Sequence, residues 1–398
     1  MVLGISLFAA GCAVTPPAPP AVPSIPPPAL LKIPESRRPL FEDEAGTASL
    51  RTAALHSAAY YRSRPADETY VLSGDRYTAA EMAESLAFFA QLIDRNPSRE
   101  AWRAAVRRHF QAYQSVGADD RQTVTFSSYY EPTIAARLKK SEIFRYPVYG
   151  RPSDLIDVDL GQFDPAYQGA RIAGRRQGQN LVPYHTRSDI DSDNAVGRKA
   201  KIIAWAQNPM DIFFLQIEGS GWLDVGGGET LRIRYDGTNG RRYQSVGQHL
   251  MASGRIPKNQ FNHAFFASYM ASHPKERQSL LNVNPRYVFF RIDRSSASPF
   301  AVGNIGVPLT PGRSIATDPK LFPKGLLAWI ETDQPVFDAA GRKTGTVPLK
   351  RFVLNQDEGG AIQGPGRVDF FVGEGDEAHR FATNFWQKGT LYFLVRKK

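Results

Sequence analysis

Two short apolar runs joined by a glycine-rich turn constrain this chain more than any other stretch. Arg351-Phe352-Val353-Leu354 leads into Gln356-Asp357-Glu358-Gly359-Gly360-Ala361-Ile362-Gln363-Gly364-Pro365-Gly366, and Arg367-Val368-Asp369-Phe370-Phe371-Val372-Gly373 follows. Runs of this length, rich in branched and aromatic residues and bounded by glycine and proline, read as strands. Period-two alternation places Arg367, Asp369 and Phe371 on one face. A carboxyl among aromatic side chains on a strand suits a general acid. Partial burial disfavours its charged form and keeps a proton available near neutral pH.

The rest of the chain supplies the frame. Residues 50–64, 78–95 and 98–113 read as helices, the second opened by a Thr78/Glu81 capping box. From Thr123 onward the pattern is mostly strand-like, with runs at 123–127, 213–217, 286–292, 326–331, 351–356, 367–372 and 390–395. Short helices are expected at 241–252, 259–271 and 274–281, and Gly226-Gly227-Gly228 reads as a turn. Several short strands with glycine turns fit a β-barrel or a sandwich. With 398 residues, two domains are the natural expectation. The net charge of +10 suits an anionic partner, but no nucleic-acid motif accompanies it.

The N-terminus has its own signature. Val2 to Gly11 is a short apolar run ending at Cys12, the one cysteine of the chain. The run is too short to span a bilayer and reads as a signal-peptide core. Small residues followed by cysteine resemble a bacterial lipoprotein cleavage site, with Cys12 the lipidated residue. Residues 15–34 hold nine of the 29 prolines, the composition of an extended tether. Ala13 after the cysteine resembles the sorting pattern for the outer membrane.

Other ordered motifs complete a resemblance. Ser128-Tyr129-Tyr130-Glu131-Pro132, Phe213-Phe214-Leu215-Gln216-Ile217-Glu218-Gly219-Ser220-Gly221, Tyr235-Asp236-Gly237-Thr238-Asn239-Gly240 and Asn284-Pro285-Arg286-Tyr287-Val288-Phe289-Phe290 precede Ser314-Ile315-Ala316-Thr317-Asp318. With the Asp357–Asp369 block, this series over roughly residues 122–396 resembles the MltA family of membrane-bound lytic murein transglycosylases, which carries a C-terminal three-aspartate (3D) domain. The resemblance implies a mainly β protein with N-terminal helices. A double-psi β-barrel would be interrupted by a smaller inserted β-domain, the two enclosing a substrate groove. The expected division is a lipoprotein signal peptide at 1–12, a proline-rich tether at 13–34, helices and the first part of the barrel at 35–135, the insert at 136–297 and the three-aspartate part of the barrel at 298–398.

The same resemblance implies the chemistry. A lytic transglycosylase cleaves the β-1,4 bond between N-acetylmuramic acid and N-acetylglucosamine in peptidoglycan, and the muramic C6 hydroxyl closes a 1,6-anhydro ring. One acid/base can serve, and Asp369 matches the family's catalytic aspartate. Asp357 and Asp318 are expected supporting acids, either holding the Asp369 proton by like-charge repulsion or hydrogen-bonding the glycine turns. Glu358 and Glu374 rank behind Asp369 as turn glutamates. Tyr129 and Tyr130 suit sugar faces, with alternation allowing one of them to face the groove. Gln216 and Ser220 suit N-acetyl or hydroxyl groups, and Gly219 with Gly221 suits close approach of glycan to backbone. No metal or organic cofactor is implied. The seven histidines lack zinc-peptidase spacing, Gly219-Ser220-Gly221 lacks an esterase elbow, and Asp189-Asp191-Asp193 fails the calcium-loop pattern at Asn194 and Ala200. The expected partners are peptidoglycan strands and the outer membrane through the lipid anchor, with cell-wall synthesis or division proteins as further candidates. The alternatives are a hydrolytic muramidase, which needs a second catalytic carboxylate, and a non-catalytic peptidoglycan-binding lipoprotein.

Overall fold

A computed structural model describes residues 28–398 apart from 44, 168, 258–262 and 295–299. Cys12, the signal peptide and most of the tether lie outside the described residues. Of the segment read as tether, Leu30–Lys32 forms a short strand paired with Tyr113–Ser115.

Six strands close the larger domain into a ring. Val124–Glu131 pairs in parallel with Arg367–Glu374, which pairs with Ser314–Ala316. That short strand pairs in parallel with the 15-residue strand Lys343–Asp357. Leu327–Phe337 follows, then Gln387–Arg396, which returns to Val124–Glu131. Closure leaves the ring with no free edge. The expected barrel is therefore present, with the whole insert lying in sequence between its first strand and the other five.

The helices Thr47–Arg62, Ala79–Asp94 and Arg99–His109 pack against this ring. The predicted capping box is formed: the Thr78 hydroxyl accepts from the Glu81 amide at 3.2 Å, and the Glu81 carboxylate accepts from the Thr78 amide at 2.8 Å. Phe89 sits 5.1 Å from Phe352, and fully buried Trp329 sits 4.8 Å from the same ring. Edge-on aromatic packing of this kind joins helices to barrel in one core. The segment predicted as helix over 98–113 changes character at Phe110. Phe110–Ser115 is a strand on the outside of Gln387–Arg396, because Phe110, Ala112 and Tyr113 bury side chains against the ring.

The inserted domain carries the sheet Val288–Ile292, Glu229–Thr238, Ser220–Gly226, Thr133–Arg137, Ile202–Ala206 and Tyr146–Tyr149. A bridge between Gly150 and Phe290 brings its two ends together. The triple-glycine turn is as expected, with Gly226, Gly227 and Gly228 all at positive φ. The three expected helices appear as Val246–Ala252, His263–Ser272 and Arg277–Asn282.

One element differs in kind. The run 213–217, expected as a strand, lies within the helix Pro209–Glu218. Asn208 caps it, its side chain accepting from the Met210 amide at 3.0 Å. Pro209 takes the first helical position, and Gly219 ends the helix at φ 83°. Its apolar residues bury on two sides, Ile212 and Leu215 into the insert's sheet and Met210 and Phe213 into a helical cluster. This two-sided burial is what erased the helical period from the sequence.

A buried ion pair holds the two domains together. Glu131 ends the first barrel strand and Arg232 belongs to the insert. The Arg232 guanidinium donates to Glu131 at 2.7 and 3.3 Å, and the Ala301 amide, where the chain has returned to the barrel, donates to the same carboxylate at 2.8 Å. The Ser220 hydroxyl also hydrogen-bonds it. Arg232 lies over the ring of Trp222, whose indole N–H donates to Glu374 of the barrel at 2.8 Å.

Candidate active site

The barrel wall that faces the insert is built from residues of one parity on neighbouring strands. Asp369 stands directly opposite Ser127. The Ser127 hydroxyl donates to Asp369 Oδ1 at 2.7 Å and accepts from the Arg367 guanidinium at 2.9 Å. Phe371, the next residue of that parity, packs on Tyr129 with ring centroids 5.2 Å apart. The predicted shared face of Arg367, Asp369 and Phe371 is thus present. Val368 and Phe370 point the other way into the barrel core.

Asp369 is only partly exposed. Burial pushes its carboxyl up to about 6, and the nearby Asp357 carboxylate adds to the rise. The Ser127 hydroxyl and Arg367 charge oppose it without cancelling it. The group therefore holds a proton at mildly acid pH and gives it up close to neutrality.

The other two aspartates are tied down. Asp357 and Asp369 both stand opposite Ala316, on either side of the short strand between them. Asp357 Oδ2 accepts from the Tyr129 hydroxyl at 2.8 Å, and Oδ1 accepts from the Asn304 amide at 3.0 Å. Burial raises this carboxyl too, against both hydrogen bonds. Asp318 accepts from the Lys320 amide at 3.0 Å and from the Gly364 amide at 2.8 Å. Its carboxylate anchors the glycine-rich turn that lies between the other two aspartates in sequence. Glu358 stands at that turn and Glu374 is taken by Trp222.

The predicted sugar-contact residues separate into two groups. Tyr129 belongs to the site through Asp357, with only 9% of its surface exposed. Tyr130 points to the opposite face, where its hydroxyl meets His379 Nδ1 at 2.8 Å. It lines a recess of about 480 Å³ with His379, Phe214 and Asp211. A second recess of about 650 Å³ also includes Asp211, and neither contains Asp369. Gln216 is buried in the insert and donates to the Val288 carbonyl at 3.3 Å, so it supports the fold. Gly219 has open space where a side chain would project. Gly221 does not, since a Cβ there would meet the Pro132 carbonyl at 2.5 Å. Ser220 belongs to the domain-junction cluster around Glu131.

Two residues of this site, Glu218 and Lys324, were given no role by the sequence. Glu218 ends the helix Pro209–Glu218 and its carboxylate accepts from the Tyr130 amide at 3.2 Å. That amide lies where the pairing of the two parallel strands shifts register, between Phe371 and Glu374. Burial, then the Asp369 charge, raises the Glu218 carboxyl well above the usual range. The C-terminal end of a helix, with its unpaired carbonyls, also disfavours an anion. Lys324 is buried, with Nζ donating to the carbonyls of Asp357 and Thr317 at 2.5 and 2.7 Å. Burial lowers its ammonium to about 8. Arg367, which alternation had already put on the Asp369 face, joins them through the Ser127 hydroxyl. Among the described residues there is no cluster of His, Cys, Asp and Glu suited to a metal ion.

A closed six-stranded barrel and an inserted β-domain, with buried aspartates on the barrel wall beside the insert, define a class. Family models match the chain in two parts: the MltA specific insert domain matches residues 125–291 and the 3D domain matches residues 313–395. The structure is similar to that of the membrane-bound lytic murein transglycosylase from Agrobacterium tumefaciens, at TM-score 0.72 and 25% identity over 92% of this chain and 98% of that one. It is also similar to Escherichia coli MltA with bound chitohexaose, at TM-score 0.60 and 26% identity over 80% of this chain and 88% of that one. In sequence it is 31% identical to membrane-bound lytic murein transglycosylase A of Escherichia coli K12, over 71% of this chain and 68% of that protein. The chain belongs to the MltA family of membrane-bound lytic murein transglycosylases.

Proposed function

We propose that this protein cleaves the β-1,4 bond between N-acetylmuramic acid and N-acetylglucosamine of peptidoglycan, with Asp369 as its single acid/base. The relatives are named lytic murein transglycosylases, and the E. coli relative has been solved with chitohexaose bound. Asp369 gives its proton to the glycosidic oxygen as the C1–O bond breaks. The muramic C6 hydroxyl then bonds to C1, closing the 1,6-anhydro ring. Its proton passes to the Asp369 carboxylate, which restores the starting state. No water enters the balance.

The observation that carries this reading is the contrast among the acids. Asp369 accepts one hydroxyl hydrogen bond and is raised to about 6. Asp357 and Asp318 each have both oxygens engaged by neighbours. The rise of Glu218 favours its neutral form, which is no base. A hydrolase needs a second carboxylate to activate water or attack C1, and none of these is placed in that state. Mass spectrometry of fragments released from purified sacculi tests the reading. Anhydromuramyl ends are expected, absent with Asp369→Asn. Reducing ends would establish a hydrolase, and binding without release would establish a sacculus-binding lipoprotein.

The same proposal places the protein in the periplasm, anchored to the outer membrane by acyl chains on Cys12. No helix among the described residues is long and apolar enough to cross a membrane. Labelled palmitate should enter the protein and should fail to enter Cys12→Ser.

A further inference from the structure

Trp386 has no role in the chemistry above. It is 66% exposed, whereas Trp102, Trp205 and Trp222 are half-buried and Trp329 is fully buried. An indole left in solvent forgoes most of its burial free energy. A lone exposed aromatic is ordinary, so its position decides what it means.

That position follows from strand register. In Gln387–Arg396, Gln387 pairs with Phe126 and Lys388 with Thr125. Trp386, one residue further back, therefore comes level with Ser127. Parity confirms the face. Lys388 Nζ donates to the Thr125 hydroxyl at 2.6 Å, on the side of Ser127 and Asp369. Phe385 has the opposite parity and packs against Phe370 in the core. Asp369 is level with Ser127 on the other flank. Asp369, Ser127 and Trp386 thus form one row across three neighbouring strands. Two interstrand spacings separate the ends, roughly 10 Å, a length of about two pyranose rings.

Arg367 fixes the indole in that row. Its guanidinium lies 4.7 Å from the Trp386 ring centroid while donating to the Ser127 hydroxyl and to the Thr125 carbonyl. The cation holds one ring face. The exposure of the residue is then that of an ordered platform, not of a side chain swinging in water.

We propose that Trp386 is a saccharide-binding subsite: the apolar face of a pyranose about two residues from the scissile bond stacks on its indole. This rests on the glycan-cleaving reading above. Arg367 serves both ends of the row, since it orients Ser127 against Asp369 and Trp386 against the sugar.

Calorimetric titration with chitohexaose, in an Asp369→Asn background that binds without cutting, tests the subsite. Trp386→Ala should weaken binding roughly tenfold, and Trp386→Phe, which keeps a ring, should restore most of it. Thermal melting should be unchanged in both variants. In the otherwise native enzyme, Trp386→Ala should raise KM for glycan and leave anhydromuramyl ends as the product. Equal chitohexaose affinity for the parent and Trp386→Ala would overturn the subsite while leaving the transglycosylase intact. A loss of affinity shared by Trp386→Ala and Trp386→Phe, with a lowered melting temperature in both, would make the residue structural and also overturn it. Reducing ends from the native enzyme would overturn the function first, whatever the affinities.

Discussion

Asp369 and Glu131 are two partly or fully buried carboxyls near one domain junction, and burial raises both. Their surroundings differ in what opposes the rise. Glu131 is 1% exposed and has a guanidinium directly on it, a backbone amide and a hydroxyl. Asp369 has one hydroxyl, and its nearest cation, Arg367, reaches it through that hydroxyl. The difference separates a carboxylate held as an anion to join two domains from a carboxyl left able to exchange a proton. Buried charge is stable when paired and reactive when underpaired.

Substitution breaks this comparison most severely at Asp369. Asp369→Asn should reduce release of anhydromuropeptides by about 10³-fold or more, measured on sacculi, while chitohexaose binding persists. The same change should stabilise the fold at pH 7. With a carboxyl near 6 folded and 3.8 unfolded, the native state binds more protons between those values. Stability therefore falls as pH rises through that window, by up to about 3 kcal/mol. Denaturant unfolding at pH 4 and pH 7 should show this loss in the parent and a smaller one in Asp369→Asn.

Glu131→Gln should do the opposite. It leaves Arg232 buried without its counter-ion, at a cost of about 3–5 kcal/mol, read from the urea midpoint. If the variant unfolds at the parent's midpoint, the junction is not held by charge. A smaller effect concerns the pH profile: kcat/KM should decline as pH rises through about 6, because the acid form of Asp369 is the one that acts. A flat profile between pH 5 and 8 would remove Asp369 from the acid role. Smallest is Tyr129→Phe, which deletes one hydrogen bond to Asp357. A loss of about 1–2 kcal/mol in stability is expected, with a modest fall in rate.

Local signals made much of this legible. The strand carrying Asp369 and its exposed parity follow from alternation, and the Thr78/Glu81 cap from its spacing. The helix Pro209–Glu218 was missed because Phe213, Phe214, Leu215 and Ile217 leave no polar stripe. Its boundary residues, Asn208-Pro209 at one end and Gly219 at the other, were the available signals. The strand Phe110–Ser115 was absorbed into a helix because its partner lies near the other end of the chain. Of the two roles open to Asp318, the bond to the Gly364 amide matches the glycine-turn one, whereas the fate of Gln216 was not readable, since it depends on the backbone of Val288. Glu218 and Trp386 gain their meaning from strand register, which no short window contains.

The ring of six strands also sets a schedule. Ser127 and Asp369 meet across 242 residues, and Gln387–Arg396 must arrive before the first strand has neighbours on both sides. Pairings so distant in sequence form slowly. The Ser127–Asp369 pair is thus assembled only after the insert between them has been made. A chain that stops short of Asp369 leaves Ser127 without that partner, so the proposed cutting site cannot open the wall before the insert is in place.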